Sequence, residues 1–198
     1  MPSISYAITA CNEHKELSFL LELLRNNIRQ EDEIVIQLDS NATQEVRDIS
    51  KDYIEFPLNK DFSSFKNNLS KHCTKDYIFQ IDADEYPHLN LIANLADIVD
   101  YNQTIDVFLV PRINTVSGLT QEHIQKWGWK VEDDRINFPD YQWRIWKNKR
   151  TIFWVNKVHE RLAGFKQYSL LPQMEEYCLF HPKDIKRQEK QNQLYETI

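Results

Sequence analysis

The chain has 198 residues, 24 lysines and arginines against 30 aspartates and glutamates, and a formal net charge of −6. That length suits one domain with a sizeable core, and a composition 27% charged and 41% hydrophobic excludes a disordered or fibrous chain. The acidic balance argues against general nucleic-acid binding, and no apolar run reaches the ~20 residues of a membrane span.

Ile4 to Ala10 (ISYAITA) is a run of strand formers and predicts a buried first strand. Leu17, Leu20, Leu21, Leu23, Leu24 and Ile28 recur at helical spacing among Glu16, Glu22 and Arg25, which predicts an amphipathic helix. Ile34 to Asp39 reads as a second strand ending in a carboxylate, Thr43 to Asp48 as a short helix, and Tyr53 to Phe56 as a third strand. Asp61 and Ser63 are capping residues for a helix through His72, with Phe62, Phe65 and Leu69 on one face. Tyr77 to Asp82 is a further strand that runs into Ala83-Asp84-Glu85. A helix over Leu89 to Asp100 and a strand over Val107 to Arg112 follow.

This alternation predicts an α/β fold, with a mostly parallel central sheet flanked by helices. From residue 113 the texture changes. All five tryptophans lie between Trp127 and Trp154, with basic residues set among aromatics in 143–150. That predicts a less regular lobe, a loop or helix followed by antiparallel strands. Residues 183–198 read as a C-terminal helix or tail anchored by Ile185 and Leu194. The whole reads as one domain, 1–198, with halves 1–112 and 113–182, and it is compatible with being one domain of a longer protein.

The three glycines, Gly118, Gly128 and Gly164, exclude a glycine-rich phosphate loop from the first half. Three widely spaced cysteines, Cys11, Cys73 and Cys178, are neither a disulfide framework nor a zinc knuckle. Met1-Pro2-Ser3 leads straight into a strand rather than a basic, then apolar, secretory leader, so a soluble intracellular protein is expected.

The strongest local signal is Ile81-Asp82-Ala83-Asp84-Glu85. Acidic side chains cluster where a buried strand ends, the edge at which open α/β sheets bind ligands. Carboxylates so close repel one another unless a cation or proton holds them, and Mg²⁺ or Mn²⁺ with substrate phosphates is a common solution. A capped, solvated loop is the simpler alternative. Asp39 and Glu13 also follow strands and would share that edge. Asp39 suits a nucleobase imide or ribose hydroxyl, or an ordinary turn.

Lys66 sits on the early turns of its helix, suited to a phosphate or to solvent. Arg144, between Trp143 and Trp146, suits a diphosphate clamp or cation–π packing. The two tryptophans suit sugar stacking and core packing equally. In Val158-His159-Glu160, the glutamate is suited to accept a proton from a sugar hydroxyl. His181 is a further candidate contact for metal or phosphate.

Together these pieces resemble the family 2 glycosyltransferases of the GT-A fold over residues 4 to 182. The likeness is greatest to small surface-glycan, lipopolysaccharide-type and large-DNA-virus transferases whose metal motif reads Asp-Ala-Asp-Glu, with later Arg-Ile-Trp (144–146) and Val-His-Glu (158–160) elements. The resemblance implies a nucleoside diphosphate sugar donor, UDP- or dTDP-linked. Thr9, Ala10, Glu13, Asp39, Lys66, Asp82 and Ala83 would lie around the nucleotide. Asp84, with Asp82 and His181, would hold Mn²⁺ or Mg²⁺.

It further implies transfer with inversion to a hydroxyl of a glycan, free or linked to lipid or protein. Glu160 would be the base, Asp140 its runner-up, and Arg144 would support the leaving group. A lipid-linked acceptor would bring a soluble, cytoplasmic protein to a membrane surface. The alternatives are a nucleotidyltransferase, disfavoured by the lack of early glycines, a glycan-binding protein with a decayed transferase site, and a plain hydrolase.

Overall fold

The computed structural model describes residues 1–195, apart from the side chains of Gln191 and residues 193–195. The expected anchor Leu194 therefore lies outside the described side chains. In chain order the elements are β1 (Ile4–Ala10), α1 (His14–Asn27), β2 (Glu33–Asp39), α2 (Gln44–Ile49), β3 (Ile54–Phe56), α3 (Phe62–Ser70), β4 (Tyr77–Asp82), β5 (Tyr86–Pro87) and α4 (Leu89–Tyr101). There follow β6 (Val107–Ser117), α5 (Gln121–Trp127), β7 (Val131–Glu132), β8 (Arg135–Lys147), β9 (Phe153–Val155), β10 (Arg161–Ala163), β11 (Tyr168–Leu170), a 3-10 turn (Glu175–Tyr177), β12 (Leu179–Asp184) and α6 (Ile185–Tyr195).

The main sheet runs β3-β2-β1-β4-β8-β6-β12-β5, with β11 added to β6 and β7 to β8. The first four strands are parallel. β8 enters antiparallel between β4 and β6, and β12 pairs parallel with β6. The strand order 3-2-1-4 reverses direction between β1 and β4. That reversal opens a crevice at the carboxyl ends of both strands.

Period-2 burial explains why β1 sits in the middle. Tyr6 and Ile8 face one apolar layer with the α1 leucines and α4, and Ala7 faces a second with Leu69, Trp146 and Trp154. Leu17, Leu20, Leu21 and Leu24 place α1 on the first layer, each burial contributing roughly 1.5–3 kcal/mol. Helix starts follow their caps. The Asp61 carboxylate accepts from the Ser64 N–H at 2.9 Å, and the Thr43 hydroxyl accepts from the Val46 N–H at 3.4 Å.

The expected strand ending at Arg112 continues to Ser117 as β6, across the division between the two halves. Polar residues 114 and 115 disguise its continuation, because β8 and β12 flank it on either side. Gly164, at φ +81°, ends β10 where a Cβ would stand 1.7 Å from the Thr151 carbonyl oxygen, so backbone meets backbone there. All three cysteines are free, and burial pushes the Cys73 thiol up to about 12.

Candidate active site

A cavity of about 660 Å³ opens at the switch point. Its walls include Thr9 to Glu13 at the end of β1 and just beyond, Asp39 at the end of β2, Asp82 to Asp84 at the end of β4 and just beyond, Lys66 on α3, and Val158 to Glu160 between β9 and β10. Thus Thr9, Ala10, Glu13, Asp39, Lys66, Asp82, Ala83, Asp84, Arg144, Glu160 and His181 are brought together around one space. Asp140 is not among the lining residues.

The carboxyl edge is stitched by its own backbone. The Ala83 N–H donates to the Thr9 carbonyl at 3.0 Å, and the Ala42 N–H to the Asp39 carbonyl at 2.8 Å. Asp39, 6% exposed, accepts from the Asn41 backbone N–H at 2.9 Å through Oδ1. Glu13 turns back on its own loop, its Oε2 accepting the Cys11 and Asn12 N–H groups at 2.8 and 3.0 Å.

Asp82 and Asp84 have different surroundings. Asp82 Oδ1 accepts from the Thr9 hydroxyl at 3.0 Å and from Gln80 at 2.8 Å, and Oδ2 accepts from Arg144 Nη2 at 2.6 Å. Burial pushes its carboxyl up, but the charges of Arg144 and Lys66 outweigh that and hold it well below the usual range. Asp84 Oδ2 faces His181 Nε2 at 3.1 Å, Arg187 Nη2 at 3.3 Å and Lys183 Nζ at 4.0 Å. Burial opposes ionisation there too, yet the His181 bond, the His181 charge and Lys183 hold Asp84 low. Burial in turn pulls Lys183 below its ordinary value.

Lys66 fits neither sequence alternative. It is 5% exposed, lies over the Trp154 ring at 4.8 Å, and donates to Glu160 Oε1 at 2.5 Å with Asp82 at 3.7 Å. Arg144, 3% exposed, is a strut under the cavity rather than an open clamp. Its Nη2 joins Asp82 and, at 2.7 Å, Glu85 Oε1. Trp146 and Trp154 meet edge-on in the core, centroids 5.5 Å apart, which settles Trp146 as packing. Trp143 packs on Phe165 and Tyr168.

Asp140 is engaged by four donors. Arg112 Nε and Nη2 (3.0 and 2.6 Å) and Asn114 Nδ2 (2.8 Å) reach its Oδ2, and Gln142 (2.7 Å) reaches its Oδ1. That corrects its place as an alternative base: it is a fixed anion behind the wall. Residues missed from sequence are Arg112, Asn114, Lys183 and Arg187. Arg112 lies at an expected strand end, Asn114 in the expected irregular lobe, and Lys183 and Arg187 in the expected tail; the β8–β6–β12 order is what brings these segments to the edge. Trp129 also lines the cavity.

The donor set suits a divalent ion beside Asp84. His181 Nδ1 is 2.8 Å from Asn114 Oδ1, and Nε2 looks at a carboxylate oxygen. Among the described residues no group of three or more His, Cys, Asp or Glu is placed to hold a metal by itself. Asp84 and His181 would therefore share an ion with substrate oxygens rather than cage it.

A four-strand parallel half-sheet with a carboxylate-lined cavity at its carboxyl edge, extended by a mixed second half, defines a GT-A fold. The chain belongs to glycosyl transferase family 2, which it matches over residues 5–169. Among solved structures it is similar to TarS of S. aureus, residues 1-349, with a TM-score of 0.61 at 14% identity over 91% of this chain and 60% of that one. TarS 1-349 in complex with UDP gives 0.61 at 15% identity, over 91% and 60%. The complex with UDP-GlcNAc gives 0.60 at 14%, over 92% and 59%. At this identity the likeness speaks for the fold, and the chain spans about 60% of the TarS fragment's length. No curated protein matches the sequence. No helix among the described residues is long and apolar enough to cross a membrane.

Proposed function

We propose that the chain transfers a sugar, with inversion, from a uridine diphosphate sugar to a glycan hydroxyl, using a divalent ion. The observation that carries this reading is the pairing of Asp84 with His181 Nε2 on the cavity wall, with Glu160 in the same cavity. Structures of TarS with UDP and UDP-GlcNAc support the choice of nucleotide.

In this reading Asp39 accepts the imide N–H of the base, and the Thr9-Ala10 backbone borders the nucleoside. Asp84 and His181 would hold Mn²⁺ or Mg²⁺, which when bound would supply positive charge against the leaving diphosphate. Lys183 and Arg187 add positive charge on the same side. Lys66 aims Glu160 by engaging Oε1, so that Oε2 receives the acceptor's proton. As the hydroxyl oxygen bonds to the anomeric carbon, the bond from that carbon to the diphosphate oxygen breaks, and its electron pair leaves on the diphosphate. The acceptor is a glycan, free or carried on lipid or protein; a lipid carrier would hold the protein at a membrane surface.

The test is calorimetric titration of UDP, dTDP, GDP and CDP with and without Mn²⁺, against wild type and Asp84→Ala. Metal-dependent binding of UDP, lost in the variant, is expected. A folded protein that binds none of the four would overturn the reading.

A further inference from the structure

Asp140, Asn114 and His181 form a chain of hydrogen bonds across three adjacent strands. Asn114 on β6 is the Cα partner of His181 on β12, and Arg112 on β6 is the partner of Asp140 on β8. The β6–β8 register shifts between Arg112 and Asn114, and the Asp140 carboxylate reaches both side chains from its one position.

Each link fixes the next. The two guanidinium N–H groups of Arg112 hold Asp140 as an anion, 73% of whose side chain lies out of solvent, at 27% exposure. A carboxylate oxygen accepts and does not donate, so the Asn114 amide must present Nδ2 to it, at 2.8 Å. Its Oδ1 then faces His181 Nδ1 at 2.8 Å, and an amide oxygen likewise only accepts. The imidazole must supply the proton at Nδ1. What remains toward Asp84, 3.1 Å away, is Nε2. When Nε2 is protonated it donates to Asp84; in the neutral ring it carries the lone pair, which faces the carboxylate across a gap that a cation suits.

We propose that Asp140 and Asn114 are positioning residues that fix the His181 proton on Nδ1 and so present the Nε2 lone pair to a cation beside Asp84. The use of that lone pair for a divalent ion rests on the proposed function, whereas the placement of the proton does not. Asp140 acts two hydrogen bonds away from the atom it controls, which no local sequence pattern around His181 discloses. Outer partners of this kind orient metal-binding histidines generally, and their loss weakens metal affinity by about 10–100-fold.

The test is ¹H–¹⁵N correlation of the imidazole nitrogens in metal-free protein at about pH 9, where an ordinary histidine is neutral. His181→Gln assigns the signal. The neutral ring is expected to carry its proton on Nδ1 and the lone pair on Nε2. In Asn114→Leu and in Asp140→Ser the neutral ring is expected to shift toward the Nε2–H form. Mn²⁺ affinity, read by electron paramagnetic resonance, is expected to fall about 10–100-fold in both.

A wild-type ring that is neutral with its proton on Nε2 overturns the proposal, and needs no variant to fold. So does an Nδ1–H form that both variants leave unchanged. If nucleoside diphosphates fail to bind but the tautomer behaves as described, the donor reading falls and the proton placement stands.

Discussion

The two walls of the cavity are built on different principles. The wall formed by β1, β2 and β4 is regular. Three parallel strands end at one level, and the residues that follow them, Glu13, Asp39 and Asp84, border one space because the strands are in register. The opposite wall, from β8 to β10, joins one long strand to two short ones through turns, with non-glycine residues at positive φ including Asn137, Asn156 and His159. Its functional side chains are held by partners far away in sequence: Glu160 by Lys66, 94 residues earlier, and Arg144 by Asp82, 62 residues earlier. A regular scaffold positions groups through its backbone. An irregular one positions them through ion pairs, and should be more sensitive to losing a single charge.

The sharpest separation of the walls is Glu160→Gln. It should lower kcat by about 10²–10⁴-fold while calorimetry finds nucleoside diphosphate binding unchanged; a parallel loss of binding would show that the walls are not independent. Next in size is Arg144→Leu, which takes one cationic partner from the Asp82 and Glu85 carboxylates where the walls join, leaving Asp82 to Lys66 and Glu85 to Arg112. Breaking a buried pair of this kind costs about 3–5 kcal/mol, measurable by urea unfolding, and a loss under about 1 kcal/mol would contradict the role of strut.

Asp39→Asn should act on the regular wall alone. It removes one charge-assisted bond to the base, weakening diphosphate binding by roughly 10–100-fold with kcat at saturating donor retained.

The smallest effect belongs to Asp106, outside both walls. Burial pushes its carboxyl up, but the Lys166 N–H and the Lys147 and Lys149 ammonium groups lower it to about 2. A carboxylate depressed in the folded state contributes stability that is full above its unfolded pKa of about 3.9. That contribution is lost as pH falls toward about 2. Asp106→Asn should therefore lower stability by about 1–2 kcal/mol at neutral pH and flatten the acid limb of the stability profile. An unchanged acid limb would place the acid sensitivity elsewhere.

The same contrast decides what was legible in the sequence. Strand-forming runs ending in Asp39 and Asp82 could be read locally, because burial in a parallel sheet makes the strand itself conspicuous and its end is then known. The alternation of strands and helices to residue 112 likewise follows from periodicity.

The second half resisted for physical reasons. Arg144 could be read as a diphosphate clamp or as a cation–π partner because nothing near it in sequence shows that Asp82 and Glu85 come to meet it. Asp140 looked like a spare base because its four donors come partly from β6. Trp143 and Trp146 could not be apportioned between sugar and core until β8 was seen between β4 and β6, covered on both faces. Lys183 and Arg187 were hidden in a polar segment whose meaning depends on β12 lying beside β6.

The placement of Lys66 over the Trp154 ring also has an optical consequence. An ammonium 4.8 Å from an indole centroid, paired on its other side with Glu160, puts a strong local field across one chromophore of the five. Any event that draws Lys66 toward another anion or discharges Glu160 alters that field, and with it the wavelength at which Trp154 emits. The protein thus carries, in its own core, a fluorescent gauge of the Lys66–Glu160 ion pair. Replacing the other four tryptophans by phenylalanine would let that gauge be read alone.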